Sequence, residues 1–199
     1  RITKKFKKEQ LDKIYSFGIE DALKAELPEF EDPTKATYNE VLQSGAESVI
    51  RFFASSMGKK AVFYDLGCGQ GKFIMHLAIE TKMSKITGIE LNKERFSQAV
   101  AISEEVEFPQ TQPQIINADF RNVDLSDATI VYFDPIGYTL EETAEITSLL
   151  PPGCLLIYRH HGAFTGDAFF PMRSLASSIS NDSDLKNFWA QMASYRVIT

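Results

Sequence analysis

With 199 residues and a formal net charge of −6, the chain is long enough for one large domain, or for a domain with a small appendage. Its 44% hydrophobic and 24% charged content is that of an ordinary globular protein and argues against disorder. No apolar run approaches the roughly 20 residues of a membrane span, no signal-peptide pattern opens the chain, and Cys68 and Cys154 are too few for a disulfide framework or a zinc site. The expectation is an intracellular protein in a reducing compartment, nuclear or cytoplasmic, with no metal.

The charge is unevenly spread. Arg1, Lys4, Lys5, Lys7 and Lys8 fall within the first ten residues, while the middle of the chain is acidic. The basic run reads either as a solvated helix end or as a contact with nucleic acid. The acidic body suits a basic protein substrate.

In chain order, residues 1–35 read as a polar helical segment, with Leu11, Ile14, Phe17, Ile19 and Leu23 recurring every three to four positions. Residues 36–199 read as the main domain. A helix carries Val41, Leu42, Val49, Ile50 and Phe53 towards a core, and strands then alternate with helices. "KAVFYDLG" is the near-continuous apolar strand of a parallel sheet. "KFIMHLAIET" is a helix, "KITGIEL" a strand and "KERFSQAVAISEEV" a helix. "QIINADF" and "ATIVYFD" are strands, "LEETAEITSLL" a helix, "GCLLIYRHH" a fifth strand, and the last fifth closes with a strand pair. This alternation predicts an α/β fold, a Rossmann-like, seven-stranded, mostly parallel sheet with helices on both faces.

In such folds the ligand sits at the carboxyl ends of the strands. The first such end is Asp65-Leu66-Gly67-Cys68-Gly69-Gln70-Gly71, where glycines let the backbone turn and approach a ligand. A dinucleotide fingerprint would need its third glycine at position 72, which holds Lys72. The G-x-G-x-G spacing after Asp-Leu fits S-adenosylmethionine instead. Glu90 ends the next strand, where a carboxylate accepts ribose hydroxyls. Asp119-Phe120 follows the third strand, offering an acid for an adenine amine and a ring to stack on it. Lys72 reads as solvent-facing or paired with an acid, and His76 as packing or surface.

The motifs "ATYNEV", "VFYDLGCGQGKFIMHLA", "TGIEL", "NADF", "ATIVYFDPIGY" and the closing Trp, Ser-Tyr and Thr together resemble, over residues 33–199, the disruptor-of-telomeric-silencing (Dot-one) histone-lysine methyltransferases. The resemblance implies a class I methyltransferase that uses S-adenosylmethionine to methylate a core lysine of histone H3 in nucleosomes, as a chromatin regulator. It implies a DNA contact through the basic N-terminal run. Tyr38 and Glu40 resemble the loop that folds over the methionine part of the cofactor, with Asn39 in place of its Gly. Asp65, Gly67, Cys68, Gly69 and Gly71 match the cofactor loop, Glu90 the ribose acid and Asp119-Phe120 the adenine pair. Tyr138, Trp189 and Tyr195 resemble aromatic residues near the lysine channel.

Asp134-Pro135 stands where that family has Asn-Asn. Methyl transfer to lysine needs the neutral amine, and a strong general base is not required. Asp134 at this strand end would hold the incoming ammonium, orient it and take a proton, next to the cofactor's methyl. Asp-Pro also partly matches enzymes that methylate exocyclic base amines or glutamine, although Ile136 replaces their second Pro. It is also an ordinary strand stop. A module that binds cofactor or chromatin without catalysis is a further alternative.

Overall fold

The computed structural model describes residues 2–24, 40–135, 137–158, 170–171 and 194–197, the last two segments by their backbone. The elements are α1 (Lys4–Ser16), α2 (Glu20–Lys24), α3 (Gln43–Phe52), β1 (Val62–Leu66), α4 (Lys72–Glu80), β2 (Lys85–Glu90), α5 (Lys93–Glu104), β3 (Gln114–Asn117), β4 (Ile130–Phe133), α6 (Leu140–Ser148), β5 (Leu155–Tyr158), β6 (Phe170–Pro171) and β7 (Ser194–Val197).

The strands lie in the order β3-β2-β1-β4-β5-β7-β6. The first five are parallel, with Asp65 opposite Gly88 of β2 and Tyr132 of β4. At the β5 edge β7 runs antiparallel, with Tyr195 opposite Ile157, and the two-residue β6 pairs with β7. The chain moves outward from β1 to β3 and returns to place β4 against the other side of β1. The direction of winding therefore reverses between β1 and β4, and a crevice opens at the carboxyl ends of these strands.

Alternation along the strands divides the core between the two faces. On one, Phe63, Ile86, Ile130 and Ile157 join Leu11 and Ile14 of α1, Val49 of α3, and Phe73 and Leu77 of α4. On the other, Tyr64, Ile89, Val131, Phe133 and Leu156 join Ile146 of α6, Leu150 and Phe120. Helices cover both faces, as the alternating sequence requires.

The N-terminal helix belongs to this core. Ile14 is fully buried, and the Tyr15 hydroxyl lies 2.9 Å from His76 Nδ1 of α4. Lys7 donates to Glu80 at 2.8 Å, while Lys8 pairs with Asp12 and Lys5 with Glu9 one helical turn away. Thr3 caps the helix, its side chain accepting from the Phe6 N–H. Among the described residues no helix is long and apolar enough to cross a membrane.

Candidate active site

The loop from β1 to α4 is shaped by its glycines and fastened to β2. Gly67, Gly69 and Gly71 all have positive φ, and Gly71, at +72°, is the N-cap of α4. A Cβ at Gly71 would lie 3.1 Å from Met75 Cε and 3.4 Å from Ala99 Cβ, so the fit is tight, and the positive φ is what reserves the position for glycine. The amides of Gly67 and Cys68 donate to the Ile89 carbonyl at 2.9 and 3.0 Å, and the Gly69 amide donates to Glu90 Oε2 at 2.8 Å. Gly88 makes the room beneath: a Cβ there would meet Cys68 Sγ at 2.6 Å and Ile74 Cδ1 at 2.7 Å. Its role leaves no signature in the sequence beyond a glycine inside a strand.

Three carboxylates converge where the winding reverses. Asp65 stands near the end of β1, Glu90 at the end of β2, and Asp134 just past β4. Asp65 is only 4% exposed, and its carboxyl is pushed up to about 8 by burial, then by the charges of Glu90 and Asp134. Glu90 is also raised by burial, but the Gly69 and Asn92 amides, bonded to its two oxygens, and the nearby Arg95 guanidinium pull the other way. Burial also carries the Cys68 thiol well above its usual range, which disfavours the thiolate. Three acids this close repel one another until a cation arrives. The donor set suits a ligand with positive charge and hydroxyls, as S-adenosylmethionine has in its ammonium, sulfonium and ribose.

Beyond β3, Asp119 caps a short 3-10 turn (Phe120–Asn122) and pairs with Arg121, which holds its carboxyl below the usual carboxylate range. Phe120 is buried edge-on against Phe133, with ring centroids 5.8 Å apart, and its ring lies 6.3 Å from that of Tyr138. Tyr138 also meets Phe133 at 5.3 Å, so the three rings form one aromatic wall beside Asp119.

Asp134-Pro135 does end the strand in a turn. The Tyr138 N–H donates to the Pro135 carbonyl at 3.0 Å, and Gly137 takes φ +83°. The turn leads into α6, where Thr139 and Glu142 form a reciprocal capping box. It leaves Asp134 half-buried and close enough to raise the Asp65 carboxyl. A strand stop and a site-facing acid are thus the same structure.

Lys72 settles on the paired reading. It is 5% exposed, and its ammonium donates to Glu40 Oε2 at 2.9 Å and to the Phe17 carbonyl at 2.6 Å. Glu40 is therefore held at the head of α4, beside the glycine loop. His76 is packing, with a pKa lowered to about 4 by burial and by Lys7. Sequence reading missed Gln70, Asn92, Arg95 and Gln98. Asn92 caps α5 by accepting from the Arg95 amide at 2.9 Å, while Gln70 donates to Gln98 at 3.0 Å. Asn92 at the head of a helix was the one legible signal. Tyr38, Asn39, Ile136, His160, His161 and Trp189 lie outside the described residues, and Tyr195 is placed by its backbone alone.

A Rossmann-like sheet with a G-x-G-x-G loop, an acid at the next strand end and an acid-aromatic pair beyond it defines the fold class of the S-adenosylmethionine-dependent methyltransferases. A solved RNA methyltransferase from Salinibacter ruber, in complex with S-adenosyl-L-homocysteine, shares this fold with a TM-score of 0.57 and 16% identity, over 80% of this chain and 94% of that one. The family described as histone methylation protein DOT1 matches residues 15–113. A protein-lysine N-methyltransferase of Saccharolobus islandicus is 37% identical over 70 residues, which are 35% of this chain and 43% of that relative. This chain thus aligns with less than half the length of that relative.

Proposed function

We propose that the protein is an S-adenosylmethionine-dependent methyltransferase that acts on lysine side chains of proteins. The observation that carries it is the convergence of Asp65, Glu90 and Asp134 at the ends of β1, β2 and β4, with Asp65 pushed up to about 8 by burial and then by the charges of Glu90 and Asp134. The match to the histone methylation family and the likeness to a protein-lysine methyltransferase support the amine of lysine as the acceptor.

Asp65 faces the ammonium of the cofactor's amino-acid end, and Glu40, held by Lys72, closes that end. Glu90 accepts from the ribose hydroxyls with the lone pairs its two backbone donors leave. Asp119 takes the adenine amine, and Phe120 stacks on the base. When bound, the cofactor supplies an activated methyl on a cationic sulfur, so the protein's task is positioning and desolvation. Asp134, beside that site, holds the substrate ammonium, orients it and takes its proton, since only the neutral amine can attack. Tyr138 walls the approach and excludes water.

The finer reading, a core lysine of histone H3 in nucleosomes with the basic N-terminal run on DNA, rests on the sequence resemblance alone, since the family description goes no further than histone methylation. The lysine reading does not depend on it. Asp134-Pro135 favours a second reading, transfer to an exocyclic base amine or to glutamine. Labelled-methyl transfer from S-adenosylmethionine to nucleosomes, free histones, a mixed protein extract and duplex DNA, followed by mass spectrometry of the product, separates them. Label on protein lysine is the expected result, and label on nucleic acid alone would overturn it.

A further inference from the structure

We infer that Lys72 and Arg95 are positioning residues that fasten a strap, residues 17–24, to the cofactor loop, so that cofactor binding and strap docking are one coupled event. This rests on the reading of Asp65, Glu90 and the glycine loop as the cofactor site.

The strap follows α1 and includes α2, and little of it is packed into the core. Ala22 is buried, whereas Phe17 and Leu23 are exposed. Among the described residues, three of its backbone carbonyls are each taken by a side chain rooted in the cofactor machinery. Lys72, the residue after Gly71, donates to the Phe17 carbonyl at 2.6 Å. Arg95 donates from Nε to the Ala22 carbonyl at 3.1 Å, and the same guanidinium is near enough to Glu90 to favour its charged form. Gln98 donates to the Asp21 carbonyl at 3.2 Å and accepts from Gln70, inside the glycine loop, at 3.0 Å.

These anchors make the strap a sensor of the loop. A buried ammonium must keep its partners, because losing one leaves a poorly compensated charge away from water. Lys72 therefore requires the strap carbonyl and Glu40 together, and the strap and the Glu40 loop dock or leave as a pair. A ligand that fixes the glycine loop and Glu90 fixes the side chains that grip the strap. By reciprocity a docked strap tightens the ligand by the same factor. The strap would then be part of the cofactor site rather than an arm for a distant partner.

The test uses the full chain and S-adenosylhomocysteine. Hydrogen exchange of the amides of residues 17–24 is compared with and without the ligand, and ligand affinity is measured by calorimetry for wild type, Lys72→Met and Gln98→Ala. The expected result is slower strap exchange in the complex. Affinity should fall about ten- to a hundredfold in Lys72→Met and several-fold in Gln98→Ala, as typical coupling between sites allows. The cofactor KM should rise while kcat stays within about twofold, a split that a merely structural lysine would not produce. Binding with unchanged strap exchange would overturn the coupling and leave the cofactor site standing. If wild type binds no S-adenosylhomocysteine, the cofactor reading falls and the inference falls with it.

Discussion

Asp65 makes opposite demands on stability and on binding, and Asp65→Asn separates them. Its carboxyl rises from an ordinary 3.8 to about 8, chiefly through burial and then through Glu90 and Asp134. The folded protein thus holds a proton that the unfolded chain releases from about pH 4 upward. Stability from this group is therefore lost as pH rises from about 4 to about 8, and below the lower limit no penalty remains. At about 1.4 kcal/mol per tenfold of proton affinity, the penalty is about 4 kcal/mol at pH 7 and about 2 kcal/mol at pH 5. These are ceilings, because the interior relaxes around a charge.

Asparagine keeps the shape and removes the titration. Asp65→Asn should therefore be more stable than wild type, with the gap widening by about 2 kcal/mol between pH 5 and pH 7 in urea unfolding. Binding should move the other way. The cofactor's ammonium favours ionised Asp65, so S-adenosylmethionine should displace a proton and bind more tightly as pH rises towards about 8. Calorimetry in buffers of different ionisation enthalpy reads that proton directly. In the variant the proton release should vanish and affinity should fall by about a hundredfold, the loss expected when a charge-assisted contact is removed. An equal stability gap at both pH values, or binding without proton release in wild type, would refute the reasoning.

Three other outcomes are expected. Glu90→Ala removes an acceptor from the Gly69 and Asn92 amides together, so it should cost about 2–4 kcal/mol in unfolding free energy and abolish cofactor binding; retained binding would end the assignment. His76, lowered to about 4, takes its proton later than the unfolded chain does, so wild type should lose stability as pH falls from about 6.5 to 4. His76→Gln should flatten that slope in acid unfolding curves. Asp134→Asn should keep cofactor affinity within a few-fold and lower methyl transfer to protein at least tenfold in single-turnover assays; undiminished transfer would show that an amide serves as well.

The parallel strands themselves were readable because each is a short apolar run bounded by turn residues, and the helices between them have the length of crossovers. Glu90 was readable because its spacing from the glycine loop is a geometric consequence of one βαβ turn. The grip on the strap was not. Its acceptors are the backbone carbonyls of Phe17, Asp21 and Ala22, and every residue has a carbonyl. Lys72 could be read only as solvent-facing or paired, since its partner Glu40 lies 32 positions away and nothing local selects it. Gly88 was hidden for a similar reason: what forbids a side chain there is Cys68 and Ile74, brought in by the preceding loop and helix.

The same logic explains why the site looks unfavourable when described without its ligand. A fold that buries Asp65 beside two further acids loses stability to desolvation first and to charge repulsion second, and natural proteins retain such arrangements where function needs them. Here the strain is confined to groups that a cationic ligand would relieve. Asp65 gains a counter-charge, Glu90 keeps its amides and adds hydroxyl donors, and Asp134 is left to face the acceptor. Among the described residues, Lys72 bonds to Glu40 and the strap, Arg121 to Asp119, and Arg95 to the Ala22 carbonyl while its charge also favours ionised Glu90. None of these bonds reaches the Asp65 carboxylate. The crevice is thus arranged so that the relieving charge comes with the ligand, which makes binding sensitive to pH at Asp65 and to the strap at Lys72. These two sensitivities are separable, because Asp65→Asn should abolish the first while leaving strap protection in whatever complex still forms, and Lys72→Met should weaken binding without altering the number of protons released.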